Sequence, residues 1–451
     1  MKIKSILFFL KNNFKYFVVF CFSLFVLVFF EHLNCWDSIW NYGFSYAFAI
    51  GEVPYVDFNM ITPGFYNFIM SLGLHISHNN LVFLIEQSIL ITLTFFIVYK
   101  MYGKRAWLFL FFMSIVKYYA FVPSYNFFLM FLTILIIYLE KKDTSDYLIG
   151  LLLGFCILTK HTIGIFLVIP SFVFYFKDKK RLFKRFVGCL IPCVIFVIYL
   201  LIIGAFKDFF DLCVLGLFDF ASKNSEIIIK YAVFSIMLLV LTIVYIIFNK
   251  KDILGYYLLS YFSVMIPIFS YYHFSLYLAI CSLMLLSILK LSDRYLGILG
   301  ISLTMVIFSF YITFNITGEF LGAHNFNYVH LLSGNKKNFE YLNELYLKYD
   351  KQSNTNIVSS KNVWIKISNE EKLDYFMLPL TGNYGYNGTK KMIDRVKNGK
   401  STYYIIDMVE YIGNKHTGQF DVKLCDYIIN NSKLIEEAKG FNVYYYEVKN
   451  D

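Results

Sequence analysis

The sequence is poor in charged residues. Asp, Glu, Lys and Arg make up 16% of its 451 residues, whereas 58% are hydrophobic and 21% are aromatic. Average soluble chains are about one quarter charged and about half apolar. The composition therefore excludes an ordinary water-soluble fold for most of the chain and indicates a protein whose main solvent is lipid.

The patterns of several large function classes are also missing. The eight cysteines include no Cys-x-x-Cys pair and mostly lie in apolar runs, which favours small apolar filler over a disulfide framework or a zinc site. No P-loop, dinucleotide-binding glycine motif, zinc-protease motif or nucleophile elbow is found in a suitable context. The net charge of +10 is not a nucleic-acid signal, because the basic residues form short clusters between apolar runs.

What the sequence does contain is a series of long apolar runs. A helix needs about 20 apolar residues to cross a hydrocarbon core about 30 Å thick. The first run has no small-residue cleavage site after it, which is typical of an uncleaved span and not of a signal peptide. About eleven spanning helices are predicted, near 16–30, 81–99, 106–121, 127–139, 147–159, 162–176, 186–204, 231–248, 253–270, 274–289 and 295–314.

Basic residues are distributed unevenly between these runs. Alternate connections carry about 19 Lys and Arg residues, and the opposite connections carry about five. Because basic connections stay in the cytoplasm, the N-terminus is predicted to be cytoplasmic. An odd number of spans then places the C-terminus outside.

The segment 31–80 differs from an ordinary loop. It contains no Lys or Arg, it carries four acidic residues, and it is rich in aromatic side chains. These features predict amphipathic helices along the outer interface of the membrane. The stretch 64–78 could cross the membrane instead, but that would place the later basic clusters outside, so this alternative is rejected.

The composition changes again from about residue 321. Charged residues and Asn become frequent, and the change predicts a membrane domain over 1–320 followed by a small extracytoplasmic α/β domain over 321–451. The stretch 381–388 is rich in turn residues and is predicted to precede a helix. Helical patterns cover 336–351, 388–398 and 421–438, and strand-like runs cover 356–360, 363–367, 402–406 and 441–448.

Two carboxylates of the outer segment are candidates for chemistry. Asp37 directly follows the first span, and Asp57 lies about twenty residues later. A carboxylate at the membrane surface can act as a general base toward a hydroxyl group; the alternative is a loop residue that caps the next helix. The two could also hold a divalent cation, although no complete metal-ligand set is visible.

Four basic side chains are predicted near the same surface. Lys160 and His161 lie between two spans on the side where basic residues are scarce, so a lipid phosphate would compensate the charge of Lys160. Lys117 and His273 are predicted close to the same level. The alternatives are a lysine that extends to the interface and a hydrogen-bonded interfacial histidine.

The outer segment resembles the first extracytoplasmic loop of the GT-C superfamily of glycosyltransferases. The resemblance rests on Asp37 after the first span, an aromatic helix over 42–49, the turn Gly51 to Asp57, and Pro63-Gly64-Phe65-Tyr66. Weaker matches are Pro123 to Asn126, Gly154 to Gly164 and Tyr271 to Phe274. Two departures stand out: Ile61-Thr62-Pro63-Gly64 lacks the lysine that precedes a Pro-Pro pair in many relatives, and Asn126 replaces a second acid.

The resemblance implies a sugar transfer from a polyprenyl phosphate to a cell-envelope glycan, lipid or protein at the outer face, with inversion. Asp37 would be the base, with Asp57 sharing the role or orienting the substrate. The donor phosphate would contact Lys160, His161, His273 and Lys117, and Tyr55, Tyr125 and Asn126 would orient the substrate.

Two alternatives stay open at the level of sequence. A transporter or flippase of lipid-linked sugars would share the apolar topology, but it should show repeated halves and ionisable groups in mid-membrane, and neither is found. A polysaccharide polymerase would use related chemistry.

Overall fold

A computed structural model describes residues 2–30, 36–223, 227–315, 317–323, 325–327, 329–331, 333–351, 354–414 and 420–448. Residues 31–35, at the start of the outer segment, therefore lie outside the described residues. The helices described up to residue 315 are α1 Lys2–Phe29, α2 Trp36–Ala49, α3 Phe65–Leu74, α4 Asn80–Tyr102, α5 Ala106–Ser114, α6 Tyr125–Lys141, α7 Asp146–Thr159, α8 His161–Phe174, α9 Lys179–Ile202, α10 Phe206–Phe210, α11 Gly216–Lys223, α12 Ile229–Phe248, α13 Ile253–Tyr261, α14 Tyr271–Ile288 and α15 Asp293–Asn315.

Each apolar run of the sequence coincides with one of these helices. Five helical stretches in the described residues are long and apolar enough to cross a membrane: Asn80–Ser114, which joins α4 and α5, and α9, α12, α14 and α15. Helices α7, α8 and α13 are apolar but shorter. Large apolar side chains are exposed along α9, α12 and α15, as expected where a helix faces lipid. The expectation of a polytopic helical membrane protein is confirmed.

Two expected spans are shorter than the sequence pattern suggested. Helix α5 ends at Ser114, and the chain then turns through Lys117 and Tyr118, which have positive φ angles of 48° and 56°. Helix α13 ends at Tyr261 and is followed by a short 3-10 turn before Pro267. Positive φ angles and proline both interrupt the helical hydrogen-bond pattern, which the apolar composition alone cannot reveal.

Helices α7 and α9 pack closely through glycine. A Cβ atom at Gly150 of α7 would lie 2.2 Å from the Arg185 carbonyl oxygen of α9, and one at Gly154 would lie 2.4 Å from Pro192 Cγ. This spacing of small residues lets two helix backbones approach each other inside a membrane. At the same contact, the buried Arg185 guanidinium pairs with Glu140 at 2.5 Å and with Asp146 at 2.9 Å.

The outer segment forms two helices, as expected. Helices α2 and α3 pack together, and Asn67 Nδ2 donates to the Asn41 carbonyl oxygen at 3.0 Å and to Asn41 Oδ1 at 3.1 Å. In the connection between them, Tyr55 has a φ of 72° and Gly64 a φ of 82°, so the chain turns sharply at both residues. The α2–α3 hairpin is thus held by buried polar contacts as well as by apolar packing.

The region after α15 is an α/β fold, here called the C-terminal domain. Its sheet contains β3 (Thr355–Val358), β4 (Thr402–Asp407), β6 (Phe441–Tyr446) and β5 (Lys433–Ala438), in that order. Strands β3 and β4 are parallel, and the other pairs are antiparallel. Helices lie on both faces of this sheet. The described elements are β1 Glu319–Phe320, β2 His330–Leu331, α16 Ser333–Asp350, β3 Thr355–Val358, α17 Asn362–Ser368, α18 Gly388–Lys397, β4 Thr402–Asp407, α19 Met408–Gly413, α20 Val422–Asn431, β5 Lys433–Ala438 and β6 Phe441–Tyr446.

Two secondary-structure expectations for this domain were wrong. The run 363–367 is not a strand but lies in α17, which is apolar on several sides because it packs against both α2 and α16. The stretch 421–438 is not one helix: α20 ends at Asn431, and β5 then pairs with β6 through a turn at Gly440. The helix expected after 381–388 is present as α18.

The hydrophobic core is continuous between the membrane helices and the C-terminal domain. The Tyr42 ring of α2 lies 5.5 Å from Phe326, whose ring lies 4.7 Å from Trp364 of α17. Glu52 accepts a hydrogen bond from the Leu373 amide at 3.2 Å, and Asn59 donates to the Tyr375 carbonyl oxygen at 3.3 Å. The C-terminal domain and the outer segment therefore lie at the same end of the helices.

Candidate functional site

Lys160 is at the centre of a polar cluster at that end. It lies between α7 and α8 in an extended conformation, which interrupts the two helices and turns its side chain toward α6. Its Nζ donates to Asn126 Oδ1 at 3.0 Å and lies 4.9 Å from the centre of the Tyr125 ring. Ser124 caps α6 by accepting from the Phe127 amide at 3.2 Å, and so fixes the start of the helix. Lys160, Asn126 and Tyr125, which are all predicted site residues, are therefore in contact with one another.

Asp37 belongs to the same electrostatic environment. It lies in the first turn of α2, and its nearest opposite charge is Lys160. Burial raises the pKa of the Asp37 carboxyl, and the positive charge of Lys160 partly offsets that increase. Burial lowers the pKa of Lys160 to about 8, against the attraction of Asp37. Among the described residues the two make no ion pair of 4 Å or less, so they are coupled across a gap.

Two histidines border this cluster. His161 begins α8, and its two buried ring nitrogens make no well-aligned hydrogen bond in the described part of the chain, although the Cys213 backbone lies within weak hydrogen-bonding range of the ring. His273 lies in the first turn of α14, where its Nδ1 is 2.9 Å from Ser270 Oγ. Both imidazoles are within electrostatic range of Lys160. His161 and His273 therefore belong to the electrostatic surroundings of Lys160, and their roles at a donor phosphate stay predictions.

The cluster contains a second unpartnered polar group. Asn126 Oδ1 accepts from Lys160, but its buried Nδ2 has no partner among the described residues. The Tyr261 hydroxyl donates to the Asn126 carbonyl oxygen at 3.1 Å and holds the backbone in place. Buried polar groups are normally satisfied, so unpartnered groups on Asn126 and His161 indicate a place for a polar ligand.

Three other residues predicted for the site lie elsewhere. The exposed Asp57 accepts from the Val53 amide at 2.7 Å and has Glu52 as an electrostatic neighbour. Tyr55 is buried, and its hydroxyl donates to the Thr62 carbonyl oxygen at 2.9 Å. Lys117 is exposed in the turn after α5. Within the described part of the chain, none of these three residues contacts the Lys160 cluster. Their roles in the site therefore stay predictions.

An apolar cavity of about 420 Å³ lies beside the charged cluster. It is bounded by the α2–α3 hairpin, by α7 and by α9. The Phe65 and Phe155 rings are stacked with their centres 4.4 Å apart and line its wall. Leu158 also lines the cavity and precedes Lys160 by two residues, so an apolar space and a cationic group adjoin at the end of α7.

The same architecture is found in a crystal structure of ArnT from Cupriavidus metallidurans bound to undecaprenyl phosphate. The TM-score is 0.57, and the match covers 97% of this chain and 98% of that chain at 10% sequence identity. This chain has the GT-C fold. The resemblance inferred from the outer segment is thereby confirmed at the level of the fold. No family model and no curated protein matches the sequence.

One part of the candidate site could not be predicted from the sequence. No structure was predicted for the connection between α9 and α12, which forms α10, a π-helical turn over Asp211–Leu215, and α11. The backbone of Cys213 in this turn lies beside the His161 ring. Single π-helical turns are frequent at functional sites, and they leave no clear signal in the sequence.

The described residues contain no group of three or more His, Cys, Asp or Glu side chains that could hold a metal ion. The two carboxylates considered as cation ligands belong to different surroundings: Asp37 faces Lys160, and Asp57 caps a turn near Glu52.

Proposed function

We propose that this protein is an integral membrane glycosyltransferase that moves a sugar from a polyprenyl phosphate to a cell-envelope glycan, lipid or protein. The observation that carries the proposal is the electrostatic pairing of Asp37 with Lys160, which directly follows α7, a helix whose last turn lines an apolar cavity. A lipid phosphate sugar needs an apolar space, a cation and a nearby base, and these three features adjoin here. The GT-C fold supports the same reaction, because ArnT was crystallised with undecaprenyl phosphate.

The donor would bind with its lipid tail in the apolar cavity. Its phosphate would then meet Lys160, with the one N–H group of the neutral His161 ring as an additional donor. Hydrogen bonds from charged donors to phosphate are stronger than neutral ones and suit an anionic leaving group. His273 and Lys117 are proposed as further phosphate contacts.

The acceptor hydroxyl would lie between Asp37 and the donor. Asp37 takes its proton, the hydroxyl oxygen attacks the anomeric carbon, and the bond from that carbon to the phosphate oxygen breaks. Lys160 stabilises the negative charge that develops on the departing polyprenyl phosphate. A direct displacement of this kind inverts the anomeric centre.

The remaining roles follow the positions of the side chains. Asn126 and Tyr125 adjoin Lys160 and would orient the sugar; the unpartnered Asn126 Nδ2 can donate to a sugar hydroxyl. Tyr55 and Asp57 would act from the α2–α3 turn, on the acceptor side.

We also propose the arrangement in the cell membrane. The uneven distribution of basic residues supports a cytoplasmic N-terminus. The C-terminal domain, which we take to begin at residue 321, would then lie outside with the outer segment. The reaction would take place at the outer face of the bilayer.

The test is consumption of lipid-linked sugar by the purified protein in liposomes. Polyprenyl phosphate sugars and candidate acceptors are supplied, and lipids and products are followed by mass spectrometry. We expect loss of the donor, release of polyprenyl phosphate and a glycosylated acceptor. Asp37→Asn should reduce the rate by about 10²–10⁴-fold.

A matched control is Glu344→Gln, which changes an exposed carboxylate on α16. It should leave the rate unchanged. Activity of Asp37→Asn near that of the unmodified protein would remove Asp37 from the mechanism. Binding of the lipid-linked sugar without turnover would instead favour a transporter.

A further inference from the structure

The C-terminal domain contains a cavity of its own, with a volume of about 440 Å³. It opens beside Thr355 and Thr402, the first residues of β3 and β4. This volume is in the range of small-molecule sites. The cavity is separate from the Lys160 cluster and is not used by the proposed reaction step.

The lining of this cavity is polar and balanced in charge. Cationic and acidic side chains occur in equal numbers, together with amide, hydroxyl and tyrosine groups. The charged members are Lys366, Arg395, Lys400, Asp350, Glu371 and Asp374. An anion or a cation would be attracted by a lining of one sign, whereas sugar hydroxyls both donate and accept hydrogen bonds and suit a mixed lining.

One buried acceptor in the cavity receives no hydrogen bond. Lys366 donates to Glu371 Oε2 at 2.8 Å, and Tyr346 donates to the same oxygen at 2.6 Å. The buried Asp374 Oδ2 makes no hydrogen bond in the described part of the chain, and its closest cation is Lys366 at 3.8 Å. Since buried polar atoms are rarely unpaired, Asp374 Oδ2 is available to a hydroxyl donor from a ligand.

A second cavity adjoins the first on the side of the membrane domain. This second cavity of about 340 Å³ shares Tyr375 and Arg395 with the first and is also lined by Tyr55 and Asn59 of the outer segment. The Arg395 guanidinium carbon lies 3.4 Å from the centre of the Tyr375 ring. The Tyr375 hydroxyl donates to the Val56 carbonyl oxygen, so the ring is tied to the turn that carries Tyr55.

The second cavity also adjoins the proposed transfer site. Leu212 of the π-helical turn lines it, and the next residue, Cys213, lies beside His161. On another side, Trp36 and Trp40 flank Asp37 on α2 and pack against the core of the C-terminal domain. The second cavity therefore lies at the junction between the domains, and the π-helical turn connects its wall to the surroundings of His161.

We propose that the two cavities form one binding track for an oligosaccharide acceptor, whose terminal sugar reaches Asp37 while further sugars occupy the C-terminal domain. This rests on the proposed function for the reaction, but the binding of glycan is a separate property. The substrate class would be an uncharged or charge-balanced glycan of several sugar units, and a single sugar would bind weakly.

The test measures glycan binding directly. Purified full-length protein is applied to an array of neutral and acidic oligosaccharides from one to six units. We expect affinity to increase with chain length and to fall at least tenfold in Arg395→Ala and Lys400→Ala. Both residues are exposed, so these variants should keep the melting temperature of the unmodified protein. Lys390→Ala, an exposed change on α18 outside both cavities, should bind normally.

A second measurement uses the transfer reaction. Arg395→Ala should raise KM for the acceptor and leave kcat unchanged, since Arg395 would bind distant sugars and not the reacting atoms. Absence of oligosaccharide binding on the array, or binding that ignores both cavity variants, would overturn the track. If glycans bind and also bind Asp37→Asn, but no sugar is ever transferred, the track stands and the transferase proposal fails.

Discussion

Lys160 donates a hydrogen bond to Asn126 and faces Asp37 without touching it. The lysine is therefore held by a neutral partner, and its charge is left for a ligand. An acid in place of Asn126 would neutralise that charge.

Replacement of Lys160 by Met should weaken phosphate binding. A hydrogen bond to a charged group contributes about 1.5–3 kcal/mol, which corresponds to a loss of roughly 10–100-fold in affinity. The measurement is the Kd for undecaprenyl phosphate in detergent, by native mass spectrometry. Lys230→Met, which removes an exposed lysine at the start of α12, is the control and should leave the Kd unchanged. Equal losses in both variants would argue against a phosphate site at Lys160.

The rate of sugar transfer should show a bell-shaped dependence on pH. Asp37 must be deprotonated, so activity falls as pH decreases through its raised pKa. Lys160 must be protonated, so activity falls as pH rises through its pKa of about 8. The profile of kcat/KM between pH 5 and 10 checks this expectation.

The variant Asn126→Asp tests which group causes the decrease in activity at high pH, here called the alkaline limb of the pH profile. A carboxylate in hydrogen-bond range of Lys160 should raise the pKa of the lysine and move the limb to higher pH. An isosteric control is Asn80→Asp, in another buried asparagine of the membrane domain. A limb that stays at the same pH in Asn126→Asp would assign it to a different group.

Glu52 should make stability depend on pH. Burial raises the pKa of this carboxyl to about 7, above its ordinary value of 4.5. The folded protein then holds a proton that the unfolded chain releases, so stability should decrease as pH rises from about 4.5 to 7. Glu52→Gln keeps an acceptor for the Leu373 amide and should flatten the pH dependence of the melting temperature. An unchanged slope in this variant would contradict the assignment.

Replacement of Arg185 by Met should destabilise the membrane domain. It leaves the buried carboxylate of Glu140 without its cation and Asp146 with Arg181 as its remaining partner, at a cost of about 3–5 kcal/mol. Arg181→Met is the matched control, because Arg181 is less buried and should matter less. Thermal unfolding in detergent compares the two, and similar melting temperatures would show that the buried ion pair is not structurally important.

The parts of this protein that could be predicted from sequence are those whose structure is determined by contact with the lipid bilayer. Apolar runs must form helices, and the cation-free outer segment must pack at an interface, so the spans and α2 and α3 follow directly. The α17 helix was missed because a short apolar segment buried on several sides reads equally well as a strand. Its true state depends on α2 and α16, which are distant in sequence.

The candidate site shows the same division. Asp37, Lys160 and His161 could be selected because a charge near a membrane needs a reason. The hydrogen bond from Lys160 to Asn126 and the π-helical turn beside His161 depend on how α6, α8 and the α9–α12 connection meet in three dimensions. Such contacts between distant segments cannot be predicted from a local sequence pattern.

The continuous core between α2, Phe326 and α17 has an evolutionary consequence. A domain that shares its interior with the membrane helices cannot be exchanged as a module, because a transplanted copy would leave the Tyr42 face of α2 without its complementary surface. Substitutions on the two sides of this junction must therefore change together. Recombination between diverged relatives within this region should yield chains that fail to fold, whereas recombination at the opposite end of the helices should be tolerated.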